Sequence, residues 1–254
     1  MFIVAIPSRY SSTRLPGKPL CLINGKPMVK CVCERALKSN VSQIIVCIDD
    51  FRVEEVLKNE PVSICYTSKE ARSGTERIAE MIKKLNIDPE TIIVNVQGDE
   101  PLIEPEHINS VAELLQNTCA DMATLCARIT DIKDVFDPNC VKVVMDQNNF
   151  ALYFSRAPIP YERDNFRNNS DISHLQFNHY HHIGIYAYKA KTILDYLERE
   201  QPEIERCESL EQLRLLHYGM KIAVAITDNP PECGVDTPED LVRVNEIIKA
   251  RETR

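Results

Sequence analysis

The chain has 254 residues, of which 44% are hydrophobic and 27% charged, and its formal net charge is -8. This length accommodates one full α/β domain, and the composition is that of an ordinary globular protein. The negative charge excludes an extended nucleic-acid partner, which needs a basic surface, but allows a small anionic ligand at a local basic patch.

Nothing in the chain indicates export or a membrane span. The apolar run at residues 2–7 is too short for the hydrophobic region of a signal peptide, and no run approaches the roughly eighteen apolar residues of a membrane helix. The ten cysteines are scattered without a Cys-x-x-Cys pair. We therefore expect reduced, mostly buried thiols in a cytoplasmic protein.

Short β-branched apolar runs alternate with helical patterns, which is typical of an α/β fold with a mostly parallel sheet flanked by helices. Strands are predicted over residues 2–7, 43–48, 62–66, 92–96, 122–127, 141–145, 151–155, 182–188 and 222–226. Helices are predicted over residues 27–38, 52–59, 75–85, 106–116, 191–200, 209–218 and 238–249.

We interpret the chain as a single integrated domain, residues 1–254. Approximately residues 1–130 form a nucleotide-binding half, residues 131–225 form a smaller mixed α/β extension that bears a second substrate, and residues 226–254 return to the core. A hairpin is predicted over residues 144–153, and the polar, Asn-rich stretch 163–178 is predicted to be a loop.

The first predicted strand runs into a loop rich in cations and hydroxyl groups. Residues 7–18 read Pro-Ser-Arg-Tyr-Ser-Ser-Thr-Arg-Leu-Pro-Gly-Lys. Ligands of open α/β sheets lie beyond the carboxyl ends of the strands, so Arg9, Arg14 and Lys18 could neutralise a triphosphate there. The loop does not match the phosphate-binding loop of ordinary ATPases, and no Gly-x-Gly-x-x-Gly occurs. A solvated loop with stray positive charges is the plainer alternative.

Two aspartates are candidate metal ligands. Asp99 follows the buried strand at residues 92–96, near the expected phosphate position, and Asp236 precedes the last predicted helix. Magnesium favours one or two carboxylates together with phosphate oxygens. Either residue could instead be a turn or cap residue, and the sequence does not show that they converge. Glycine is rare, with seven in the chain, and Gly98 and Gly234 lie in these two loops, where we expect the backbone to require them.

The predicted strand around His182 and the predicted helix after residue 209 each have one face with several polar side chains. Alternation puts His182, Gly184, Tyr186 and Tyr188 on one face of the strand, which suits a hydroxyl-rich ligand lying flat. His182 could equally be a hydrogen-bonded core histidine, and a metal cluster of His174, His179 and His181 is a further alternative. Glu211 and Gln212 share a helical face that ordinary surface polarity explains equally well.

Seven blocks, in order along the chain, resemble the 3-deoxy-manno-octulosonate (KDO) cytidylyltransferase family. They are Pro-x-Arg-Tyr-x-Ser-x-Arg-Leu-Pro-Gly-Lys-Pro-Leu at 7–20, Ser-Gly-Thr-Glu-Arg at 73–77, Val-Asn-Val-Gln-Gly-Asp-Glu-Pro at 94–101, Ala-Leu-Tyr-Phe-Ser-Arg at 151–156, His-Ile-Gly-Ile-Tyr at 182–186, Leu-Glu-Gln-Leu-Arg at 210–214 and Gly-Val-Asp-Thr-Pro-Glu-Asp at 234–240. Each block is weak alone, but the series spans almost the whole chain.

The resemblance implies a Rossmann-like fold of the nucleotide-diphospho-sugar transferase type and a cytoplasmic, Mg²⁺-dependent homodimer. It implies the reaction of CTP with KDO to give CMP-KDO and pyrophosphate, for lipopolysaccharide synthesis, with residues 131–225 binding the sugar acid and forming the dimer. Nucleotide binding would fall to Pro7, Arg9, Arg14, Lys18, Ser73, Gly74, Arg77 and Asp99. Catalysis would fall to Arg14, Lys18, Asp99 and Asp236, and metal binding to Asp99 and Asp236. Sugar binding would fall to Gln97, Arg156, Arg163, His182, Tyr186, Glu211 and Gln212.

Two alternatives stay open at this point. The same chemistry could act on another acceptor, such as 8-amino-KDO or a sialic acid. A non-catalytic protein that senses nucleotides on the same scaffold would bind CTP but release no pyrophosphate.

Overall fold

The computed structural model describes residues 1–12, 14–167, 174–232 and 234–252, and within them nine strands form one sheet and two short strands form a hairpin. The strands are β1 (Phe2–Ser8), β2 (Leu22–Ile23), β3 (Lys26–Pro27), β4 (Gln43–Ile48), β5 (Ser63–Tyr66), β6 (Ile92–Asn95), β7 (Met122–Arg128), β8 (Lys142–Met145), β9 (Ala151–Ser155), β10 (Tyr180–Lys189) and β11 (Ile222–Thr227). The helices are α1 (Met28–Ala36), α2 (Phe51–Leu57), α3 (Gly74–Leu85), α4 (Pro105–Asn117), α5 (Ile132–Phe136), α6 (Arg163–Phe166), α7 (Ala190–Glu198), α8 (Glu203–Glu208), α9 (Gln212–His217) and α10 (Pro238–Glu252), with a 3₁₀ turn at Lys18–Leu20.

The strand order of the sheet brings four parallel strand ends to one edge. The order is β11-β7-β10-β6-β1-β4-β5, and β6, β1, β4 and β5 run parallel to one another. The antiparallel β10 separates this group from the parallel pair β7 and β11, and the β8–β9 hairpin attaches to β10. The predicted α/β class is confirmed, and the loops after the four parallel strands lie side by side.

The core has one layer on each face of the sheet, as the alternation of a strand buried on both faces requires. In β1, Val4 and Ile6 pack on the layer under α1, α2 and α4, whereas Ile3 and Ala5 pack on the layer under α3, α7 and α9. All seven residues of β1 are buried, which agrees with its continuous apolar run. A third cluster packs α10 against the loop before the first helix through Leu15, Val235 and Val244.

Several local predictions need correction. The helix predicted from residue 209 begins at Gln212, and the structure adds α8 just before it. Ser209 has a φ of 52°, so this left-handed residue ends α8 and separates the two short helices. The loop predicted over 163–178 contains the short helix α6, and its residues 168–173 lie outside the described part of the chain. The hairpin at 144–153 is confirmed, with Val144 opposite Tyr153.

Two further observations concern the chain as a whole. Of the nine cysteines in the described residues, four are buried, three are partly exposed and two are exposed, so the prediction of mostly buried thiols is wrong. No helix in the described ranges is both long and apolar enough to span a membrane.

Candidate active site

A cavity of about 280 Å³ opens at the shared edge formed by the ends of β1 and β6. Its walls are the loop after β1, the loop after β6 and the start of α3, because adjacent parallel strands deliver their loops to the same place. The predicted nucleotide and metal residues that line it are Pro7, Arg9, Arg14, Lys18, Ser73, Gly74, Arg77, Asp99 and Asp236, and the predicted sugar-binding residue Gln97 lines it as well. We call this space the nucleotide cavity.

The two candidate metal ligands meet at one ammonium group. Lys18 Nζ lies 2.5 Å from Asp99 Oδ2 and 2.8 Å from Asp236 Oδ1, and the Arg14 guanidinium lies 3.1 Å from the same Asp236 oxygen. Burial alone would lower the pKa of Lys18, but the charges and hydrogen bonds of the two aspartates outweigh it and raise that pKa. The ammonium is therefore firmly charged and compensates two carboxylates that the chain brings together from distant positions.

Two glycines allow the loops of these aspartates to approach one another. A Cβ at Gly98 would lie 2.8 Å from the Pro7 carbonyl oxygen, and one at Gly234 would lie 2.6 Å from Glu100 Oε1 and 3.0 Å from the Asp99 carbonyl oxygen. The Val235 N–H also donates to the Asp99 carbonyl at 2.9 Å. A side chain at either glycine would push the loops apart, so the expectation that the backbone requires glycine there is confirmed at both positions.

The loop of Asp236 is held by its own capping box. Asp240 Oδ2 accepts from the backbone N–H groups of Asp236 at 3.1 Å and Thr237 at 3.0 Å, and the Asp240 N–H donates to Thr237 Oγ1 at 3.2 Å. Because Thr237 and Asp240 cap α10, the interpretation of Asp236 as the cap residue is wrong. Its carboxylate instead faces Lys18 and Arg14.

The donor chemistry of this site fits Mg²⁺. Asp99 and Asp236 offer hard carboxylate oxygens that already converge on one cationic group, the ammonium of Lys18. In the part of the chain that is described, no group of three or more His, Cys, Asp or Glu residues could hold a metal ion. Two carboxylates would therefore leave most of the coordination sphere to phosphate oxygens and water, which is how Mg²⁺ is commonly bound beside nucleotides.

Sequence reasoning missed Glu100, although it directly follows Asp99. It lies beneath Gly234 and lines a second cavity beside the nucleotide cavity. Burial, and then the charges of Asp99 and Asp236, raise the pKa of Glu100 to about 8. Asp99 and Asp236 contact Lys18 directly, whereas Glu100 is the neighbouring carboxyl group that lines the second cavity.

The second cavity, of about 230 Å³, lies between the end of β6 and the strand β10. Gln97 lines both cavities and so joins them, and His182 and Gly184 line the second one. We call this space the β10 cavity. Of the predicted sugar-binding residues, Gln97 and His182 lie in its wall.

His182 is a neutral hydrogen-bond donor in this wall. Its Nε2 lies 3.0 Å from Thr124 Oγ1, whose single hydrogen is directed to the carbonyls of Ile183 and Ile185 at 3.1 and 2.8 Å. The imidazole must therefore donate from Nε2, which assigns the proton to that nitrogen. Burial, and then the neighbouring His181, lower the pKa of His182 to about 3, so the ring is uncharged near neutral pH.

The predicted faces of β10 are confirmed. Ile183 and Ile185 pack in one core layer and Tyr186 packs in the other, although a bulge shifts the pairing with β7 between Ile183 and Tyr186. The rings of His182 and Tyr186 lie 5.6 Å apart on the same face. The bulge places Gly184 at the cavity wall, with no atom within 4 Å of a Cβ added there.

Three other predicted sugar-binding residues line a separate, small buried cavity of about 20 Å³ next to Thr75. The Tyr186 hydroxyl lies 3.4 Å from Gln212 Oε1, and Thr75 Oγ1 donates to Glu211 Oε2 at 3.1 Å. Gln212 is 3% exposed, so the explanation by surface polarity is wrong for Gln212, whereas Glu211 beside it is half-buried. Burial raises the pKa of Glu211.

The two predicted arginine ligands of the sugar acid lie outside both cavities. The Arg156 guanidinium donates to the carbonyl oxygens of Glu208 at 2.7 Å and Pro138 at 2.8 Å. Arg163 is largely exposed and pairs with Asp164. The structure thus does not bring either guanidinium to the predicted sugar site, because Arg156 donates to the end of α8 and to the loop after α5, and Arg163 lies exposed on the short helix α6.

The alternative of a histidine metal cluster is wrong for the described residues. His179 is fully buried and its Nε2 contacts the Pro160 carbonyl at 2.8 Å, while its Nδ1 lies 3.6 Å from Glu162. His181 faces the β10 cavity. His179 and His181 are two positions apart in the sequence, but they lie in different surroundings and do not form a common metal site.

Comparison with known proteins agrees with this geometry. A family model described as cytidylyltransferase matches residues 3–222. A 3-deoxy-manno-octulosonate cytidylyltransferase of Aliivibrio fischeri (strain MJ11) is 50% identical over 97% of this chain and 98% of its own length, and one of Vibrio cholerae serotype O1 (strain M66-2) is 49% identical over 98% of each. A solved CMP:2-keto-3-deoxy-manno-octonic acid synthetase complexed with CTP superposes with a TM-score of 0.88 at 36% identity, covering 99% of this chain and 100% of that one.

These matches extend over nearly the whole chain and include the segments that build both cavities. Identity near one half over the full length is far above what a shared fold alone produces. The chain therefore belongs to the 3-deoxy-manno-octulosonate cytidylyltransferase family.

Proposed function

We propose that this protein transfers the CMP group of CTP to KDO, giving CMP-KDO and pyrophosphate for lipopolysaccharide synthesis, with Mg²⁺ as cofactor. The convergence of Asp99 and Asp236 on Lys18 at the mouth of a cation-lined cavity is the observation that supports it most strongly. The family relatives and the CTP complex of a related synthetase support the choice of nucleotide and acceptor.

In the proposed reaction the anomeric hydroxyl oxygen of the sugar acid attacks the α-phosphorus of CTP. A new O–P bond forms, the bond from the α-phosphorus to the bridging oxygen breaks, pyrophosphate leaves with that electron pair, and the hydroxyl proton passes to solvent. Mg²⁺ held by Asp99 and Asp236 would neutralise charge on the phosphates and lower the pKa of the attacking hydroxyl. Catalysis then depends on positioning and on fixed charge.

The residues of the nucleotide cavity suit the triphosphate end of this reaction. Arg9, Arg14 and Lys18 would supply the positive charge that the departing pyrophosphate requires, with Arg14 able to engage two oxygens through its planar fork. When the triphosphate and its metal bind, Lys18 would exchange part of its contact with Asp99 and Asp236 for phosphate oxygens. Ser73, Gly74 and Arg77 would line the cytosine side.

The β10 cavity suits the sugar acid. Gln97 joins the two cavities, and a neutral His182 and an open Gly184 offer a flat wall with polar groups at its edge. Tyr186, Glu211 and Gln212 would complete this side if the small cavity opens toward the ligand. Arg156 or Arg163 would reach the sugar carboxylate only after a rearrangement, so their role remains a prediction, as do the homodimer and the cytoplasmic location.

Pyrophosphate release is the experiment that tests this proposal. Purified protein with CTP and Mg²⁺ is assayed against KDO, 8-amino-KDO and N-acetylneuraminate in parallel, with and without EDTA. We expect release with KDO that exceeds the other acceptors and stops when EDTA is present. Preference for another acceptor would reassign the substrate, and CTP binding without release on any acceptor would identify a nucleotide sensor instead.

A further inference from the structure

Asp49 is a buried carboxylate at the end of β4 that none of the functional assignments above uses. Its Oδ2 accepts from the Arg77 guanidinium at 2.9 Å, and its Oδ1 accepts from the backbone N–H of Tyr10 at 2.8 Å. The side chains of Asp49 and Arg77 are each 3% exposed. One carboxylate therefore joins two walls of the nucleotide cavity, namely the start of α3 and the loop after β1.

The position of Asp49 follows from the sheet. β4 lies parallel next to β1, and β5 lies parallel next to β4, so residues just after β4 and β5 lie near the loop that follows β1. Directly after β5, Thr67 Oγ1 accepts from Arg77 Nη1 at 2.9 Å and donates to the Ile48 carbonyl at 3.1 Å. Arg77 is thus fixed from two sides by residues that no family block of the sequence contains.

This pairing changes what Arg77 can do. A buried arginine whose charge is balanced by a carboxylate is not available to neutralise a triphosphate, but its remaining N–H groups can still donate hydrogen bonds. Arg77 lines the nucleotide cavity, so its remaining donors would serve an uncharged part of the ligand. The charge on the triphosphate falls to Arg9, Arg14 and Lys18.

The contact with Tyr10 fixes the loop that holds those three cations. The Tyr10 ring is covered by the Arg52 guanidinium, whose Cζ lies 3.6 Å from the ring centroid, and Arg52 is itself held by Asp50. Asp49 and Asp50 therefore fix the backbone and the ring of the same residue. A buried ion pair adds little net stability over an apolar pair of similar size. The main effect of the Asp49–Arg77 pair is therefore to fix the positions of Arg77 and of the loop at Tyr10.

We propose that Asp49 is a positioning residue of the nucleotide cavity, which neutralises and orients Arg77 and anchors the loop after β1 at Tyr10. This inference rests on the proposed function for its ligand, CTP. It predicts that Asp49 controls nucleotide affinity, although Asp49 is not itself in the cavity wall.

Two substitutions separate the two contacts. Asp49→Asn keeps an oxygen for the Tyr10 N–H but turns an amide N–H toward Arg77, whereas Asp49→Ala removes both acceptors. We expect the Kd of CTP to rise roughly 10-fold in Asp49→Asn and roughly 100-fold in Asp49→Ala, the range for losing charge-assisted hydrogen bonds. The KM of the sugar acid should stay within about twofold, because the β10 cavity does not depend on these contacts.

Glu205→Gln is the matched structural control. It breaks the comparably buried Arg214–Glu205 pair, in which Arg214 Nε lies 2.6 Å from Glu205 Oε2, outside the nucleotide cavity. All three variants should lower the Tm, but only the Asp49 variants should weaken CTP binding in isothermal titration. Equal loss of CTP affinity in Glu205→Gln, or wild-type affinity in Asp49→Ala, would refute the positioning role.

Hydrogen exchange without ligand tests the same role independently of CTP. Peptides covering residues 9–18 should exchange faster in Asp49→Ala than in the wild type or in Glu205→Gln. Unchanged exchange in those peptides contradicts the anchor at Tyr10 even if CTP binding weakens. Failure of the wild type to bind CTP would instead overturn the proposed function, and the exchange result would still decide the role of Asp49.

Discussion

The nucleotide cavity and the β10 cavity are joined at Gln97, yet they solve opposite electrostatic problems. The first collects the three cations Arg9, Arg14 and Lys18 around two carboxylates, so positive groups outnumber negative ones among these five residues, and Arg14 and Lys18 contact the carboxylates directly. In the second, the pKa of His182 is lowered to about 3 by burial, so its side of the wall is uncharged.

One sheet can serve two different ligands because its loops and its strands tolerate charge differently. Loops at the ends of parallel strands are free to carry permanent charge, because they are partly solvated and their sequence is not constrained by a core. Side chains on a strand buried on both faces must be neutral or paired, since burying an isolated charge is costly. A polyanion therefore fits the loop-built cavity and a hydroxyl-rich ligand fits the strand-built one.

The largest expected effect comes from the metal site. Asp99→Ala should lower kcat about 1,000-fold or more while the far-ultraviolet circular dichroism stays unchanged, because one of two metal ligands is lost. Pyrophosphate release measures the effect. Glu113→Ala, which removes an equal charge from an exposed position of α4, is the control and should retain wild-type activity. An Asp99→Ala variant with near-normal turnover would remove Asp99 from the mechanism.

The next effect sharpens the role of the ammonium between the aspartates. Lys18→Met keeps the side-chain length but removes the charge, and we expect kcat to fall roughly 100-fold because pyrophosphate loses a stabilising cation. Without nucleotide, Mg²⁺ should raise the Tm of this variant more than that of the wild type, since Lys18 no longer competes for both carboxylates. Thermal unfolding with a Mg²⁺ titration checks this, with Lys58→Met as the charge-matched surface control. If Mg²⁺ raises the Tm of Lys18→Met and of the wild type equally, Lys18 and Mg²⁺ do not compete for the same two carboxylates.

A smaller effect should distinguish the two cavities. His182→Gln retains a neutral donor but alters the wall of the β10 cavity, and we expect the KM of the sugar acid to rise roughly 10-fold, the cost of about one misplaced hydrogen bond. The KM of CTP should change less than about twofold. Steady-state kinetics with each substrate varied separately measures both KM values. A change in the KM of CTP alone would contradict the assignment of the sugar acid to the β10 cavity.

The smallest effect concerns pH. The folded pKa of His182, about 3, lies below its ordinary value of 6.5, so the unfolded chain takes up the proton first. Its contribution to stability is complete above about pH 6.5 and is lost as the pH falls toward 3, by about 1.4 kcal/mol per pH unit. Urea unfolding at pH 7 and pH 5 should show a wild-type loss about 2 kcal/mol larger than in His182→Gln. Equal losses would mean that the pKa of His182 is not lowered in the folded protein.

Features of the fold that depend on neighbouring residues in the sequence could be predicted, whereas those that depend on contacts between distant segments could not. The strands β4 and β9 match their predicted bounds because their apolar runs end at clear polar boundaries. The loop that carries Arg9, Arg14 and Lys18 could be singled out because it directly follows a strand end, whereas Ser73, Gly74 and Arg77 were singled out only by the resemblance. Helix α8 was not, because a single left-handed Ser209 divides two helical patterns.

The rest of the site depends on contacts between distant segments. The Asp49–Arg77 pair joins residues 28 positions apart, and no local pattern predicts which carboxylate will meet a given arginine. Arg156 resembles a ligand in the sequence, but its guanidinium donates to carbonyl groups of Glu208, at the end of α8, and of Pro138, in the loop after α5. The small cavity at Glu211 arises only when α9 packs on α3 through Thr75.

A crystal structure with CTP and Mn²⁺ would test the central claim most directly, since anomalous scattering locates the metal without assumptions about activity. We expect one Mn²⁺ peak between the carboxylates of Asp99 and Asp236, in contact with phosphate oxygens that also bind Arg14 and Lys18. A triphosphate bound elsewhere, or a metal held without either aspartate, would contradict the account.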